Sequence, residues 1–466
     1  MVKERARILV VGGGYVGMYT ALRLQRSLKR ELKEGTAEIT VVTPDPYMTY
    51  QPFLPEAAAG NISPRHVVVP LRRVLPDCRI VIGEATAVDH AARTATVATL
   101  ATMEKGLPPE HLTYDELVLA PGSIARTLPV PGLADHGIGF KTVEEAIGLR
   151  NHVVEQMDIA SSTRDPEIRD AALTFVFVGG GFAGVEALGE LEDMARYAAR
   201  YYHNVRPEDM KWILVEASDR ILPEVGADLG RYTVSELRRR NIDVRLNTRL
   251  ESCLNRVAVL SDGARFPTRT VVWTAGVKPH PMLAATDLPL DARGRLRCTP
   301  QLTVEGTTHA WAAGDAAAVP DVTASEPGAT TAPNAQHAVR QAKALADNIT
   351  RSLRGEPLQS YSHKYAGSVA SLGFHKGVAH VYGRKLKGYP AWFMHRTYHL
   401  SRIPTFNRKA RVLAEWTLAG LFKREIVSLG SLEHPRAEFE LAAGGKPSGG
   451  SDNPKTGPRD DPKGSS

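Results

Sequence analysis

Two glycine triplets carry the clearest chemistry in the chain. Gly12, Gly14 and Gly17 form one G-x-G-x-x-G turn; Gly179, Gly181 and Gly184 form a second. In such a turn one glycine bends the chain sharply. Another lets a pyrophosphate approach the backbone, and the third lets the following helix pack on the strand. The helix N-terminus then stabilises the phosphate charge. A lone triplet is weak evidence, but each of these follows an apolar run and opens a helical stretch. Glu216 ends an apolar run at 212–216. A carboxylate there accepts hydrogen bonds from a ribose 2′-hydroxyl and repels a 2′-phosphate, so the second site should prefer NADH to NADPH. The first unit lacks that acid: Thr43 holds the place and Asp45 follows two residues on. Either Asp45 reaches the ribose or another group holds the hydroxyl.

The elements that must position these turns repeat. Ala6–Val11 reads as a buried strand, followed by a helix from 15 to about 30 and a strand at 39–42. The second unit has a strand at 173–178, a helix from about 183 to 201 and a strand at 212–216. Two βαβ units about 167 residues apart amount to an internal repeat. Further short strands are expected at 114–120, 271–274 and 310–313, a long helix at 333–353, and loops over the Pro- and Gly-rich residues 44–64. Two dinucleotide sites in one chain imply electron transfer between two cofactors, and FAD at the first with NADH at the second is the common arrangement. Trp311-Ala312-Ala313-Gly314-Asp315 supports this assignment. A short strand ending in Gly314-Asp315 is similar to the second flavin motif of two-dinucleotide-domain flavoproteins, in which the Asp binds the ribityl hydroxyls.

Composition narrows the field. Of 466 residues, 43% are hydrophobic and 23% charged, which excludes a wholly disordered or fibrous chain. The three cysteines, Cys78, Cys253 and Cys298, lie far apart in sequence. They offer no disulfide framework, thiolate metal site or CxxC pair, and a reducing compartment fits. No apolar run reaches about 18 residues, so no transmembrane helix is expected. The apolar run at 8–11 is too short for a signal peptide. The net charge of +7 is concentrated: residues 362–435 hold twelve Lys or Arg against three Glu. The rest of the chain is close to neutral.

Together these motifs resemble the type II NADH:quinone oxidoreductases, single-subunit dehydrogenases that do not pump protons. The resemblance spans about residues 5 to 435. Besides the two fingerprints it rests on residues 51–60 (QPFLPEAAAG), 181–186 (GFAGVE), 335–342 (AQHAVRQA) and the basic, aromatic C-terminal region. Disulfide reductases and sulfide:quinone reductases of this fold need cysteines that the chain lacks. The implied fold is α/β with two Rossmann-like domains. An FAD domain covers 1–140 and 286–360, with an NADH domain inserted at 141–285. A membrane-facing domain follows at 361–440, then a disordered tail at 441–466.

The resemblance implies hydride transfer from NADH to FAD, then two electrons to a quinone. It gives Glu186 a place near the reacting rings, and Gln336 and Gln341 a place in the quinone site. An amide at 336 can bond a quinone carbonyl in either redox state. Gln341, five residues on, leaves that helix face. Arg340 stands where the family often has Gln, and either attracts an anionic quinone species or sits on the helix surface. Pro121 replaces the Thr or Leu of relatives and should stiffen a hinge.

A quinone is lipid-soluble, so a bilayer surface is the expected partner. Val412, Leu413, Trp416, Ala419 and Gly420 fit one helical stripe, flanked by Arg408, Lys409, Arg411, Lys423 and Arg424. Apolar stripe, Trp and basic ends suit an interfacial helix, while a buried core stripe with a solvated basic face is the other reading. A peripheral position on the cytoplasmic face of the cell membrane and a homodimer are expected, with no nucleic-acid partner. A soluble reductase serving a ferredoxin-like protein is the alternative function.

Overall fold

Runs of Val, Ile and Leu that are apolar on both faces become buried parallel strands. The computed structural model describes residues 5–363, 367–422 and 426–427. Its first sheet has seven strands in the order Ala310–Ala312, Glu116–Leu119, Ala6–Val11, Ala37–Thr43, Arg79–Asp89, Thr94–Thr99 and Glu110–Thr113. The first five pair in parallel; the last two add antiparallel. Helices Tyr15–Ser27 and Ala335–Leu353 pack together on this sheet through Ala21, Leu24, Ala342 and Leu345, all fully buried.

The second sheet has five parallel strands, ordered Gly137–Gly139, Thr270–Trp273, Thr174–Val178, Lys211–Val215 and Ile242–Arg245. The chain leaves the first sheet through Ser123–Ala125 and returns through Val277–Pro279. These two strands pair antiparallel, so exit and return run side by side. Past the long helix, Gly367–Ser371, Gly377–Val381 and Arg384–Lys387 form an antiparallel meander. Helices Tyr389–Arg402 and Phe406–Leu421 follow it.

Two local expectations change. The first helix stops at Ser27, and a separate short helix, Lys29–Glu34, closes on Gly35 at φ 73°. Residues 44–64 are not plain loops. Strand Tyr47–Thr49, a 3₁₀ turn at Gln51–Phe53 and helix Leu54–Ala58 occupy much of that stretch. Pro52 and Pro55 sit in the first turns of the two helical pieces, where a missing N–H costs nothing. Phe53, Leu54, Ala57 and Ala58 are buried, and that burial makes helix of a stretch whose composition reads as loop. The expected tail at 441–466, and Lys423 and Arg424, lie outside the described residues.

Candidate active site

Both glycine turns sit at the carboxyl ends of central strands and open the next helix. Gly12 and Gly179 have φ of 109° and 117°, a region closed to most side chains. A Cβ at Gly17 would lie 1.8 Å from the Gly12 oxygen, and one at Gly184 2.0 Å from the Gly179 oxygen. Only hydrogen fits at either place. Gly14 and Gly181, by contrast, look onto open space, which leaves room for a pyrophosphate against the backbone. On this geometry both turns can take a dinucleotide pyrophosphate, which FAD at the first and NADH at the second both require.

The hydrogen-bond register makes the two units comparable position by position. Gly12 N donates to Val42 O at 2.8 Å and Gly179 N to Val215 O at 2.9 Å. Thr43 is therefore the structural counterpart of Glu216. Glu216 Oε2 accepts from Gly180 N at 2.6 Å, and its Oε1 accepts from Ser218 N at 2.7 Å. The carboxylate is thus fixed beside the turn. Thr43 is buried and donates to Asp45 O at 3.2 Å. Burial and the nearby Glu144 raise the Asp45 pKa.

Gly314 has φ 68° and approaches the first fingerprint helix so closely that a Cβ would meet Val16 at 2.7 Å. This brings Gly314 and Asp315 to the first turn, as a ribityl-binding pair requires. Asp315 Oδ2 accepts from Ser123 Oγ at 2.6 Å. Gln341 serves this motif from below. Its Oε1 accepts from Gly314 N at 2.8 Å and its Nε2 donates to Thr331 Oγ1 at 2.9 Å. Gln341 is 1% exposed and does not line the cavity described next, which corrects its expected place in a quinone pocket. Its helix turns that face to the core.

A cavity of about 740 Å³ lies where the two glycine-turn units meet the C-terminal helices. Tyr15 and Phe182, each just past a glycine turn, line it. So do Gln51, Glu186, Gln336, Arg340, Tyr398 and His399. Gln336 is held on this wall: its Nε2 donates to Gly367 O at 3.2 Å, and its Oε1 lies 3.0 Å from His363 Nε2. Arg340, half-buried, donates to Gln336 O at 2.9 Å. It belongs to the cavity wall, which corrects the reading of a plain surface residue.

Glu186 reaches the cavity edge and is tied on its other side to the C-terminal meander. Its Oε1 accepts from Ser371 N at 2.9 Å and stands 3.1 Å from His395 Nε2. Burial lowers the His395 pKa, but Glu186, Glu56 and Glu190 outweigh it and raise the net value. One turn on, Glu190 is completely buried. Asn61 Nδ2 donates to it at 2.9 Å and Ser371 Oγ at 2.7 Å. Burial and then Glu56 push its carboxyl up to about 7. A partly protonated Glu190 relieves the repulsion that two acids at i and i+4 otherwise suffer. His399, lying 3.1 Å from the Tyr50 hydroxyl, has a pKa well below the usual range because of burial and the nearby His395.

The C-terminal helices are fixed by a buried ion pair. Arg396 Nη2 lies 3.0 Å from Glu56 Oε2, and Trp416 Nε1 donates to the same oxygen at 2.8 Å. The guanidinium stacks on Trp392 at 4.3 Å and Trp416 at 4.8 Å. Hence the expected single stripe divides. Val412 and Trp416 turn inward, while Phe406, Leu413, Leu418 and Leu421 stay more than half exposed. No helix among the described residues is long and apolar enough to cross a membrane, and they contain no cluster of metal-binding side chains. Cys78, Cys253 and Cys298 are free thiols. Lys141, Ser123, His395 and Arg396 were not singled out by the sequence. None carries a periodic or motif signal, since their partners lie far along the chain.

Residues 5–342 match the family of pyridine nucleotide-disulphide oxidoreductases. This defines the class: an oxidoreductase built on two dinucleotide-binding units. A type II NADH:quinone oxidoreductase of Staphylococcus epidermidis is 30% identical over 399 residues, covering 84% of this chain and 94% of its own. Among solved structures, NDH2 from Plasmodium falciparum in complex with NADH superposes with a TM-score of 0.81 at 16% identity. That match covers 91% of this chain and 100% of the other. The sulfide:quinone oxidoreductase of Aquifex aeolicus gives 0.68 at 18% identity, over 90% and 96%. These two share the fold. The chain belongs to the type II NADH:quinone oxidoreductase family.

Proposed function

We propose that the chain oxidises NADH and reduces a quinone, with FAD between them and no proton pumping. The observation that carries this reading is the shared cavity, where residues next to both glycine turns meet Glu186 and Gln336. Bound FAD supplies a carrier that accepts a hydride and passes on two electrons. The protein does the rest. Gly12, Gly14 and Gly17 cradle the flavin pyrophosphate, and Asp315 beside Gly314 takes the ribityl hydroxyls. Gly179, Gly181 and Gly184 hold the NADH pyrophosphate, with Glu216 on its ribose. Gln336 bonds a quinone carbonyl, and Glu186 positions substrate or delivers a proton at the cavity edge. Gln341 acts through Gly314, keeping the flavin motif in place. In balance, NADH, quinone and one proton from water give NAD⁺ and quinol.

The division into an FAD domain at 1–140 and 286–360, an NADH domain at 141–285 and a membrane-facing domain at 361–440 is part of this reading. The exposed Phe406, Leu413, Leu418 and Leu421, with Arg408, Lys409 and Arg411 on the same helix, suit a peripheral seat on anionic lipid. The cytoplasmic face and a homodimer complete the proposal. Flotation with anionic vesicles and sedimentation of the flavin-loaded protein read the membrane seat and the dimer.

The test is anaerobic stopped-flow absorbance of the flavin-loaded protein. NADH should bleach the flavin, and a water-soluble quinone should restore it quickly. Bleaching without a response to quinone points to a protein acceptor instead. A chain that takes up no flavin overturns the whole reading.

A further inference from the structure

A cation stands at the seam between the two dinucleotide units. Lys141 lies where the chain passes from strand Gly137–Gly139 into helix Val143–Ser162. Its Nζ reaches back and donates to Ser123 Oγ at 2.8 Å, and that hydroxyl donates to Asp315 Oδ2 at 2.6 Å. Three separate stretches of chain meet in this one bridge. The backbone beneath it is fixed as well. Lys141 N and Thr142 N both donate to Glu145 Oε2, at 2.6 and 3.0 Å, the second of these being half of the helix capping box. Lys141 also lines the cavity. Burial lowers its pKa, while Asp315 and Glu145 oppose that shift and favour the charged ammonium.

Charge balance says what such a group can do. A hydride carries two electrons and one hydrogen nucleus, so its departure from NADH leaves NAD⁺ and brings one net negative charge to the acceptor. The quinone then takes two electrons and two protons, the second proton from water, and the charge is gone. One negative charge therefore appears and disappears in each turnover. A fixed cation in a half-buried site lowers the energy of the charged state without reorganising. Three other cations line the cavity: Arg340, Lys343 and Arg402. Lys141 alone among the four is bridged to Asp315, the residue assigned to the flavin.

We propose that Lys141 is a tuning residue whose ammonium group, held at the seam by Ser123 and Asp315, stabilises the electron-rich state of the flavin. The proposal rests on the flavoprotein reading above.

The experiment is the equilibrium between the flavin and a redox dye, followed by absorbance, after FAD content has been measured. Wild type, Lys141→Gln, Lys141→Arg and Ser123→Ala are compared. Lys141→Gln should keep its flavin and move the equilibrium about tenfold towards the oxidised form, about 30 mV for a two-electron couple. Lys141→Arg should stay close to wild type. Ser123→Ala, which keeps the charge but cuts the bridge, should move the same way by less. A flavin-loaded Lys141→Gln protein with a wild-type equilibrium overturns the proposal. So does a Lys141→Gln protein that loses flavin while Lys141→Arg keeps it, since Lys141 is then a binding residue. If Lys141→Gln does not fold, an unshifted Ser123→Ala protein overturns it. A wild type that binds no flavin overturns the flavoprotein reading along with it.

Discussion

The two glycine-turn units share a backbone and differ in what they hang on it. Their strands, turns and helices correspond at a constant offset through the three glycines, and the same strand-end hydrogen bond fixes both. At the next position one unit has Thr43, buried and turned to its own backbone, and the other has Glu216, held beside the turn. Along the helices the contrast repeats. Glu186 and Glu190 correspond by offset to Tyr19 and Arg23. Tyr19 lines the cavity and Arg23 holds a surface ion pair with Asp347, whereas the acids enter a buried network. The scaffold thus repeats, while the side chains hung on it differ in charge and in burial.

The comparison breaks first at its shared part. Gly17→Val should leave protein without flavin, because the new side chain collides with the Gly12 carbonyl. Gly184→Val should keep flavin but lose roughly 10- to 100-fold in kcat/KM for NADH, the scale of overpacking a rigid turn. Flavin absorbance and NADH kinetics on both proteins decide it; matching defects would mean the units are not independent.

The side chains sharpen it next. Glu186→Gln should retain flavin and slow turnover at least ~10-fold, if the carboxylate acts at the reacting centre. Glu216→Gln should raise KM for NADH by roughly tenfold, the worth of a charge-assisted hydrogen bond, and narrow the preference over NADPH. Steady-state kinetics with both nucleotides measures each.

Glu190 gives a stability signature in the acid range that its counterpart Arg23 cannot give. Its folded pKa of about 7 lies above the ordinary 4.5. The folded state therefore holds its proton more tightly than the unfolded chain. That contribution is complete below about 4.5 and is lost as pH rises to about 7. Thermal melts of Glu190→Gln should show a flatter fall in Tm across that window than wild type. Smallest of all, Thr43→Val should leave flavin retention within a few fold, since a single neutral hydrogen bond is worth about 1 kcal/mol.

Much of the frame was legible. Glycine spacing, apolar runs and the Gly314-Asp315 step have local signatures, and the strands expected at 6–11, 173–178 and 310–313 are present as Ala6–Val11, Thr174–Val178 and Ala310–Ala312. The misreadings share one cause. The motif resemblance put Gln341 in the quinone site although helix spacing already took it off the face of Gln336, and the structure follows the spacing: Gln336 lines the cavity and Gln341 bonds Gly314 in the core. The stripe at Val412–Gly420 was correct in period but not in extent. Which of its residues meet solvent depends on Glu56 and Phe53, more than 350 residues away, which receive Trp416. Long-range partners of that kind leave no periodicity to read.

The Arg396 contact has a consequence for how the molecule can be taken apart. Glu56 is 1% exposed, and two of its partners, Arg396 and Trp416, come from the C-terminal helices. Cut the chain before Tyr389, and a carboxylate is left in the interior with neither cation nor indole. Such a charge costs several kcal/mol unless the wall carrying it opens. That wall includes Gln51 and Pro55, which border the cavity. The helices facing outward are thus a structural member of the reaction chamber. A shortened chain, freed of its greasy end for ease of handling, would be a damaged enzyme and not a soluble core.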